Sequence, residues 1–99
     1  MATLRPVSRI GDITTGHGCY SPSLGVTSAK TVFANGVLVH QQTNTFTPHT
    51  CGQDVHPDVI VGGSAKVLVE GQPIARLGDA LSPGGALMAA ASWSVFAAG

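Results

Sequence analysis

The sequence predicts an all-β fold, a small pseudo-threefold structure built from three β-hairpin repeats. The first observation is the frequency of glycine and proline: 13 glycines and 6 prolines divide the 99 residues into short segments, which disfavours long helices. The second is composition, because the pieces between them are rich in Val, Ile, Phe and Thr, which are typical of strands. The third is self-similarity along the chain, which predicts that the hairpins share one axis.

One recurring element is an apolar strand that leads into a glycine turn. Its three copies are VFANG at Val32–Gly36, VLVEG at Val67–Gly71 and VFAAG at Val95–Gly99. The tripeptide SAK precedes the first two copies, at Ser28–Lys30 and Ser64–Lys66. Because the sequence begins and ends within a repeat, Val95–Gly99 is expected to pair beside the segment that starts with Arg5–Asp12.

A second recurring element is a turn led by Asp or Asn. It reads RIGD at Arg9–Asp12 and RLGD at Arg76–Asp79, whereas the middle repeat has Gln41 and Asn44 at the Arg and Asp positions. We expect each Asp side chain to accept backbone N–H groups in its turn and each Arg to brace a neighbouring strand, rather than to form catalytic pairs.

The turn that follows carries His-x-Cys in two of the three repeats. Five residues after Asp12, Asn44 and Asp79 come His17, His49 and Gly84, and two residues further come Cys19, Cys51 and Ala86. If the repeats surround one axis, like turns converge at one end of the molecule, and His17 and His49 meet there. The stretch FTPHTCGQDVH, Phe46–His56, also concentrates two histidines and a cysteine, side chains that bind metals well.

Length, composition and net charge limit the functions that this protein can have. Ninety-nine residues predict one domain, spanning 1–99, with no appended effector domain. Only 10% of the residues are charged against 43% hydrophobic, so part of the surface is expected to be apolar and covered by a partner. The formal net charge of zero gives no basic patch for nucleic acid.

No targeting or membrane-spanning segment is recognised in the sequence. Residues 1–15 lack a continuous apolar stretch of the signal-peptide kind. The apolar segment Ala86–Ala98 is interrupted by Ser92 and Ser94 and falls short of the ~20 residues that cross a bilayer. We therefore expect synthesis in the cytoplasm and, if the protein acts outside the cell, delivery by another vehicle.

With these motifs assembled, the chain resembles the PAAR-repeat family, the spike-tip proteins of contractile injection machines such as phage tails and type VI secretion systems. The name tetrapeptide appears as PIAR, Pro73–Arg76, within VLVEGQPIARLGD, while RIGDITTGHG and DVIVGGSAKVLVEG fit the family's other recurring elements. The resemblance runs from about Arg5 to Gly99. It implies a conical structure whose three repeats converge on a metal-bound apex.

The family resemblance also implies a structural Zn²⁺ held by three histidines and one cysteine. Matched residue by residue, the implied ligands are His17, His49, Cys51 and His56. A Cys-His₃ set fills a tetrahedral zinc site, and such a closed set is typical of structural zinc. Cys19 leaves two alternatives open, since it could replace His56 as a ligand or form a disulfide with Cys51. His40 follows a strand and is expected to be a hydrogen-bonded strand residue rather than a ligand.

By resemblance, the function is that of a non-enzymatic tip. One monomeric cap would sharpen each trimeric β-helical spike and help to pierce a target envelope, contacting the target membrane transiently at the tip of a phage tail or secretion spike. Trp93 and Phe96 are expected in the core, or as docking anchors if they are exposed. The alternatives are a zinc hydrolase, for which Asp54 is the candidate base, and a stand-alone metal-binding adaptor.

Overall fold

A computed structural model describes residues 4–87 and 95–98 of the chain. Over these residues the secondary structure consists of short strands, isolated bridges and turns, without a helix, which confirms the all-β prediction. The strands are β1 Arg5–Pro6, β2 Phe33–Ala34, β3 Val37–Leu38, β4 His49–Cys51, β5 Asp54–His56, β6 Val59–Ile60, β7 Leu68–Val69, β8 Gln72–Pro73, β9 Leu81–Ser82 and β10 Phe96–Ala97. The described ranges hold no helix that is long and apolar enough to cross a membrane.

Three antiparallel strand pairs form one end of the molecule, which we call the hairpin end. They are β2–β3, β7–β8 and β1–β10. In the third pair Arg5 lies opposite Ala97 and Pro6 opposite Phe96, which confirms that the last repeat is completed by the N-terminal segment. Asn35-Gly36 and Glu70-Gly71 close the other two pairs with both residues at positive φ, as tight two-residue hairpin loops require.

The pseudo-threefold axis is visible as a closed ring of backbone hydrogen bonds. Ser8 N–H donates to Ala75 O at 3.0 Å, Ala75 N–H donates to His40 O at 3.0 Å, and His40 N–H donates to Ser8 O at 2.8 Å. Each repeat thus gives one bond and receives one, so the three chain segments surround the axis as equivalent neighbours. This arrangement fixes the relative height of the repeats.

Two apolar clusters lie along the axis. The cluster nearer the hairpin end contains Val7, Ala29, Ala34, Val39, Val69, Ile74 and Ala97. The second cluster contains Phe46, Ile60, Ala75, Leu81 and Leu87. Val7, Val39 and Ile74 sit one residue before the members of the hydrogen-bond ring, so the repeat of the sequence becomes a repeat of the core.

The Asp- or Asn-led turns have the same geometry in all three repeats. The backbone N–H of Arg9 donates to Asp12 Oδ2 at 2.9 Å, that of Gln41 to Asn44 Oδ1 at 2.7 Å, and that of Arg76 to Asp79 Oδ2 at 2.7 Å. The turn role predicted for Asp12 and Asp79 is therefore confirmed. The amide oxygen of Asn44 accepts the bond as a carboxylate does, so the middle repeat keeps its shape despite the changed residue.

The Asp79 carboxylate also organises buried positive charge. Arg76 donates from Nε and Nη2 to its two oxygens at 3.1 and 3.0 Å, and Arg5 Nη2 donates to Oδ1 at 2.7 Å. Arg76 is 2% exposed and Asp79 4%, so the pair is shielded from solvent. The two-point contact of Arg76 with Asp79, together with the bond from Arg5 in the N-terminal segment, indicates a structural brace between repeats.

Candidate metal centre

The end of the molecule opposite the hairpin end carries three of the four histidines, and we call it the apex. His49 is the first residue of β4 and His56 the last residue of β5, and the register places them directly opposite each other. Cross-strand partners present their side chains on the same face of a hairpin. The segment Phe46–His56 therefore brings two ring nitrogens to one point by local structure alone.

His17 reaches the same point from the first repeat. It pairs with Tyr20 through two backbone hydrogen bonds, His17 N to Tyr20 O at 3.1 Å and Tyr20 N to His17 O at 2.8 Å. The ring centroids of His17 and His49 lie 4.9 Å apart, and those of His17 and His56 lie 5.1 Å apart. The predicted meeting of His17 and His49 at one end of the axis is confirmed.

Asp58 lies against all three histidines of the cluster. Its carboxylate is fully buried, and Oδ1 lies 3.4 Å from both His17 Nε2 and His49 Nε2, with His56 Nδ1 also at 3.4 Å. Four ligands about 2.1 Å from a tetrahedral zinc ion lie about 3.4 Å from one another. One ligand atom from each of the four residues fits within 4.8 Å of the others, so the group can hold a metal ion.

The unpaired polar atoms of the cluster test whether these residues fit a metal ion. His17 Nε2, His49 Nε2, His56 Nε2 and both Asp58 carboxylate oxygens are buried with no hydrogen-bond partner among the described residues. Leaving one such atom unpaired costs roughly 1–3 kcal/mol, and more for a charged group. These unpaired atoms belong to four residues that each bring a ligand atom within 4.8 Å of the others, so the donor set fits a metal ion.

A neighbouring carbonyl selects the nitrogen that His49 can offer. His49 Nδ1 lies 2.6 Å from Ser21 O. A carbonyl can only accept, so His49 Nδ1 is protonated and donates, which leaves its lone pair on Nε2. Such a contact is the usual way in which a protein orients a metal-binding histidine. In His56, Nδ1 lies 3.0 Å from Pro57 O and 3.4 Å from Asp58 Oδ1, while Nε2 has no partner among the described residues.

Cys51, the fourth expected ligand, is not placed with the histidines. It forms a disulfide with Cys19, whose Cα lies 5.5 Å away, and Asp58 is the fourth residue of the group that can hold a metal ion. The disulfide has a simple cause: the two cysteines follow His17 and His49 by two residues in adjacent repeats, so the repeat geometry that brings the histidines together also brings the sulfurs together. It is one of the two alternatives that the sequence left open for Cys19.

Asp58 was missed by sequence reasoning because it follows Pro57 and reads as an ordinary turn residue. The available signal was its position two residues after His56 and immediately before the apolar strand β6, where a buried carboxylate needs a specific partner. The first three expected ligands, His17, His49 and His56, are brought together as the family resemblance implied.

His40 lies away from the apex in the hydrogen-bond ring. It is fully buried, its Nδ1 is 2.8 Å from Ser8 Oγ, and its ring packs against Phe46 with centroids 5.1 Å apart. Burial lowers the pKa of His40 to about 4, so the ring is neutral at pH 7. Gly25 provides the space, since a Cβ there would lie 2.3 Å from the His40 ring.

Tyr20 and Asp54 border the cluster. Tyr20 OH donates a hydrogen bond to Asp54 Oδ2, and this bond, ahead of burial, raises the pKa of Tyr20. The candidate base of the hydrolase alternative is therefore already engaged as an acceptor. Trp93 lies outside the described residues, and Phe96 is 48% exposed, which makes it a surface residue rather than part of the core.

Three hairpins around one axis, with a histidine–carboxylate group at one end that can hold a metal ion, define a class of small all-β proteins with a metal-capable apex. A comparison with protein families gives a match to the PAAR motif over residues 21–89. The chain belongs to the PAAR-motif family. Among curated proteins, the comparison found no relative that matches the chain.

Family membership sets the coarse function. PAAR-motif proteins are structural spike-tip proteins of contractile injection systems, they associate with a spike protein, and they are not known as enzymes. The resemblance drawn from the sequence motifs is thereby confirmed at the level of the family.

Proposed function

We propose that this protein is the zinc-stabilised tip of a contractile injection machine, in which residues 1–99 form one domain that caps a trimeric β-helical spike with one copy per trimer. The family match and the closed hydrogen-bond ring of Ser8, His40 and Ala75 support this assignment. A monomer with internal pseudo-threefold symmetry can present three similar surfaces to the three chains of a spike. The machine would carry it out of the cell or virion and into a target envelope.

The observation that carries the proposal is a set of three exposed apolar side chains at equivalent positions. Each is the first residue of its strand: Phe33 in β2, Leu68 in β7 and Phe96 in β10. Their cross-strand partners are Leu38, Pro73 and Pro6, respectively. They are 60%, 62% and 48% exposed. We call these three residues the hairpin-end triad.

Exposure of three large side chains around one axis favours docking. Fully burying a Leu or Phe side chain stabilises a complex by roughly 1.5–3 kcal/mol, so the triad offers a substantial apolar contribution when a partner covers it. The three members lie at the hairpin end, away from the apex. A partner with threefold symmetry can contact all three equally, whereas an asymmetric partner cannot.

The metal would have a structural role. His17 belongs to the first repeat, while His49, His56 and Asp58 belong to the second, so one ion would connect repeats that are distant in sequence. Structural zinc supplies on the order of 10 kcal/mol to a small domain because the unfolded chain has no assembled site. A hydrolase would need an open coordination position, and four converging protein ligands favour the closed, structural arrangement.

The test is co-purification with the trimeric spike protein of the same machine. Light scattering on the isolated complex should give one copy of this chain per trimer. Changing the triad together, Phe33→Ser, Leu68→Ser and Phe96→Ser, should abolish the complex. A matched control changes two exposed residues outside the triad, Leu24→Ser and Val55→Ser, which are 51% and 59% exposed, and it should retain binding.

The proposal fails if the wild-type chain ignores the spike trimer, or if the triad variant binds as well as the control. Circular dichroism on each variant shows whether the fold is kept, so a loss of binding is separated from a loss of structure. A stable lone monomer that ignores spikes would support the adaptor alternative, and zinc-dependent activity on model esters would support the hydrolase.

A further inference from the structure

Tyr20 lies against all three histidines of the apex at once. Its ring centroid is 4.7 Å from that of His17, 4.9 Å from that of His49 and 4.4 Å from that of His56. Separations of this size are direct aromatic contacts. Tyr20 is the only tyrosine in the sequence, and none of the hydrogen bonds that build the repeats requires its side chain.

Two attachments hold the Tyr20 ring over the cluster. Its backbone is paired with His17 in the first repeat, and its hydroxyl donates to Asp54 Oδ2 on β5 of the second repeat. Asp54 lies opposite Cys51, on the same hairpin that carries His49 and His56. The ring is therefore fixed at both ends, across the boundary between the two repeats that supply the candidate ligands.

The four residues of the cluster differ in their exposure to solvent. Asp58 has no exposed side-chain surface and His49 has 3%, while His17 and His56 keep 21% and 20%. The two partly exposed histidines are those nearest to the Tyr20 ring. A metal ion, a water molecule or a chelator that approaches them must pass beside this ring.

From this arrangement we infer that Tyr20, held by Asp54, covers the histidine cluster and limits the rate at which a metal ion enters and leaves. The inference rests on the metal site of the proposed function and adds to it a residue that is not a ligand. Because the cover acts on access, it changes exchange rates more than the number of ions bound at equilibrium. A ring with a merely structural role would alter unfolding but not the rate of metal release from folded protein.

The experiment measures release of zinc from the folded, loaded protein to an excess of a chromogenic chelator. Tyr20→Ala is expected to release zinc at least about tenfold faster than wild type, since removal of the ring opens His17 and His56. Tyr20→Phe and Asp54→Ala each remove the hydrogen bond between Tyr20 and Asp54 but keep an aromatic ring at position 20. Roughly threefold faster release is therefore expected for each. All variants should still bind one zinc per chain.

Leu24→Ala is the matched control, because it removes an exposed apolar side chain that belongs neither to the triad nor to the histidine cluster, and its release rate should equal that of wild type. Equal release rates for wild type and Tyr20→Ala, with stoichiometry unchanged, would overturn the inference and leave the metal site standing. If Tyr20→Ala does not fold, Tyr20→Phe and Asp54→Ala decide in the same way. A folded wild-type chain that binds no zinc would overturn the metal site and the inference together.

Discussion

The imidazole of His17 packs against Gly84, the residue at the equivalent position of the third repeat. A Cβ on Gly84 would lie 3.2 Å from His17 Cγ and 3.3 Å from Nδ1, closer than ordinary van der Waals contact. The third repeat thus supplies space where the other two supply histidines. The threefold repeat of side chains is therefore broken at the apex, where the absence of a side chain on Gly84 makes room for the His17 ring.

Substitution of Gly84 should therefore weaken metal binding without disturbing the hairpin end. In Gly84→Ala the new methyl group displaces the His17 ring by a few tenths of an ångström, and in Gly84→Val the displacement is larger. Zinc affinity measured by competition titration should fall from wild type to Gly84→Ala to Gly84→Val. Unchanged affinity in Gly84→Val would show that His17 does not need its observed position.

Asp58 is expected to be a ligand, and Cys51 is not. Asp58→Asn removes the charge and should reduce zinc affinity by at least about tenfold to a hundredfold, since loss of a group that only orients a ligand already costs that much. The chain loaded with Co²⁺ should lack the near-ultraviolet thiolate charge-transfer band. A strong band, or zinc affinity that survives Asp58→Asn and disappears in Cys51→Ser, would contradict the assignment.

The disulfide of Cys19 and Cys51 should contribute independently of the metal. It closes a loop of 32 residues, for which chain-entropy reasoning gives a stabilisation of about 4 kcal/mol. The paired change Cys19→Ser and Cys51→Ser should lower the free energy of unfolding of the metal-free chain by roughly this amount, measured in urea. A reducing agent should reproduce the loss in wild type and have no effect on the double variant.

Thr43 occupies a backbone conformation that suits glycine. Its φ is 85°, and the equivalent residues Gly11 and Gly78 have φ of 91° and 88°. A β-branched side chain is strained there, at a cost of about 1–2 kcal/mol, while the greater freedom of unfolded glycine offsets part of the gain. Thr43→Gly should therefore raise the free energy of unfolding by up to about 1 kcal/mol, and Thr43→Ala should not.

Because Thr43 is exposed and its N–H donates to Ile60 O at 2.9 Å through the backbone, the glycine variant keeps every polar contact of the turn. A lower melting temperature for Thr43→Gly than for wild type would show that the strain argument is mistaken at this turn.

His40 should make stability depend on pH. Burial lowers its pKa from 6.5 to about 4, so between these values the unfolded chain binds a proton that the folded chain does not. Stability is therefore fully present above about pH 6.5 and falls as the pH drops towards 4, by about 3 kcal/mol in total.

The measurement is urea unfolding of the metal-free chain between pH 4 and 7, compared with His40→Asn, which can still contact Ser8 Oγ. The difference in unfolding free energy between the two proteins isolates His40 from the apex histidines. The variant should lose less stability on acidification than wild type, and parallel pH profiles would contradict the assignment.

The fold was largely predictable because its repeats are built by backbone hydrogen bonds that leave a clear sequence pattern. Asp12 and Asp79 mark their turns, and Asn44 can replace them because its amide oxygen accepts the same bond. The pairing of Val95–Gly99 with the N-terminal segment followed from counting repeats, and β1–β10 confirms it as far as Ala97.

The shared SAK tripeptide does not occupy the same structural position in the two repeats. The two SAK tripeptides are not equivalent in space, because Ala29 N–H and Ser64 N–H donate to the matched residues Val39 and Ile74. Ser64 Oγ accepts the N–H groups of Lys66 and Val67, and in the other repeat the carboxylate of Glu70 accepts those of Lys30 and Thr31. Because Glu70 comes from a different repeat, the sequence around Lys30 does not reveal which group accepts these hydrogen bonds.

The candidate site was predictable only in part for the same reason. His17, His49 and His56 follow from repeat spacing and family resemblance, whereas the choice between Cys51 and Asp58 depends on which side chains face inward. Cys19 and Cys51 are equivalent by repeat and meet each other, while Asp58 has no counterpart with the same chemistry in the other repeats, where Ser23 and Gly85 occupy its place.

Anomalous diffraction at the zinc absorption edge, from a crystal of the zinc-loaded chain, tests the central claim most directly. One peak is predicted, about 2.1 Å from His17 Nε2, His49 Nε2 and Asp58 Oδ1, with His56 as the fourth ligand. A folded chain with no peak, or a peak bonded to Cys51 Sγ with Asp58 turned away, would contradict it.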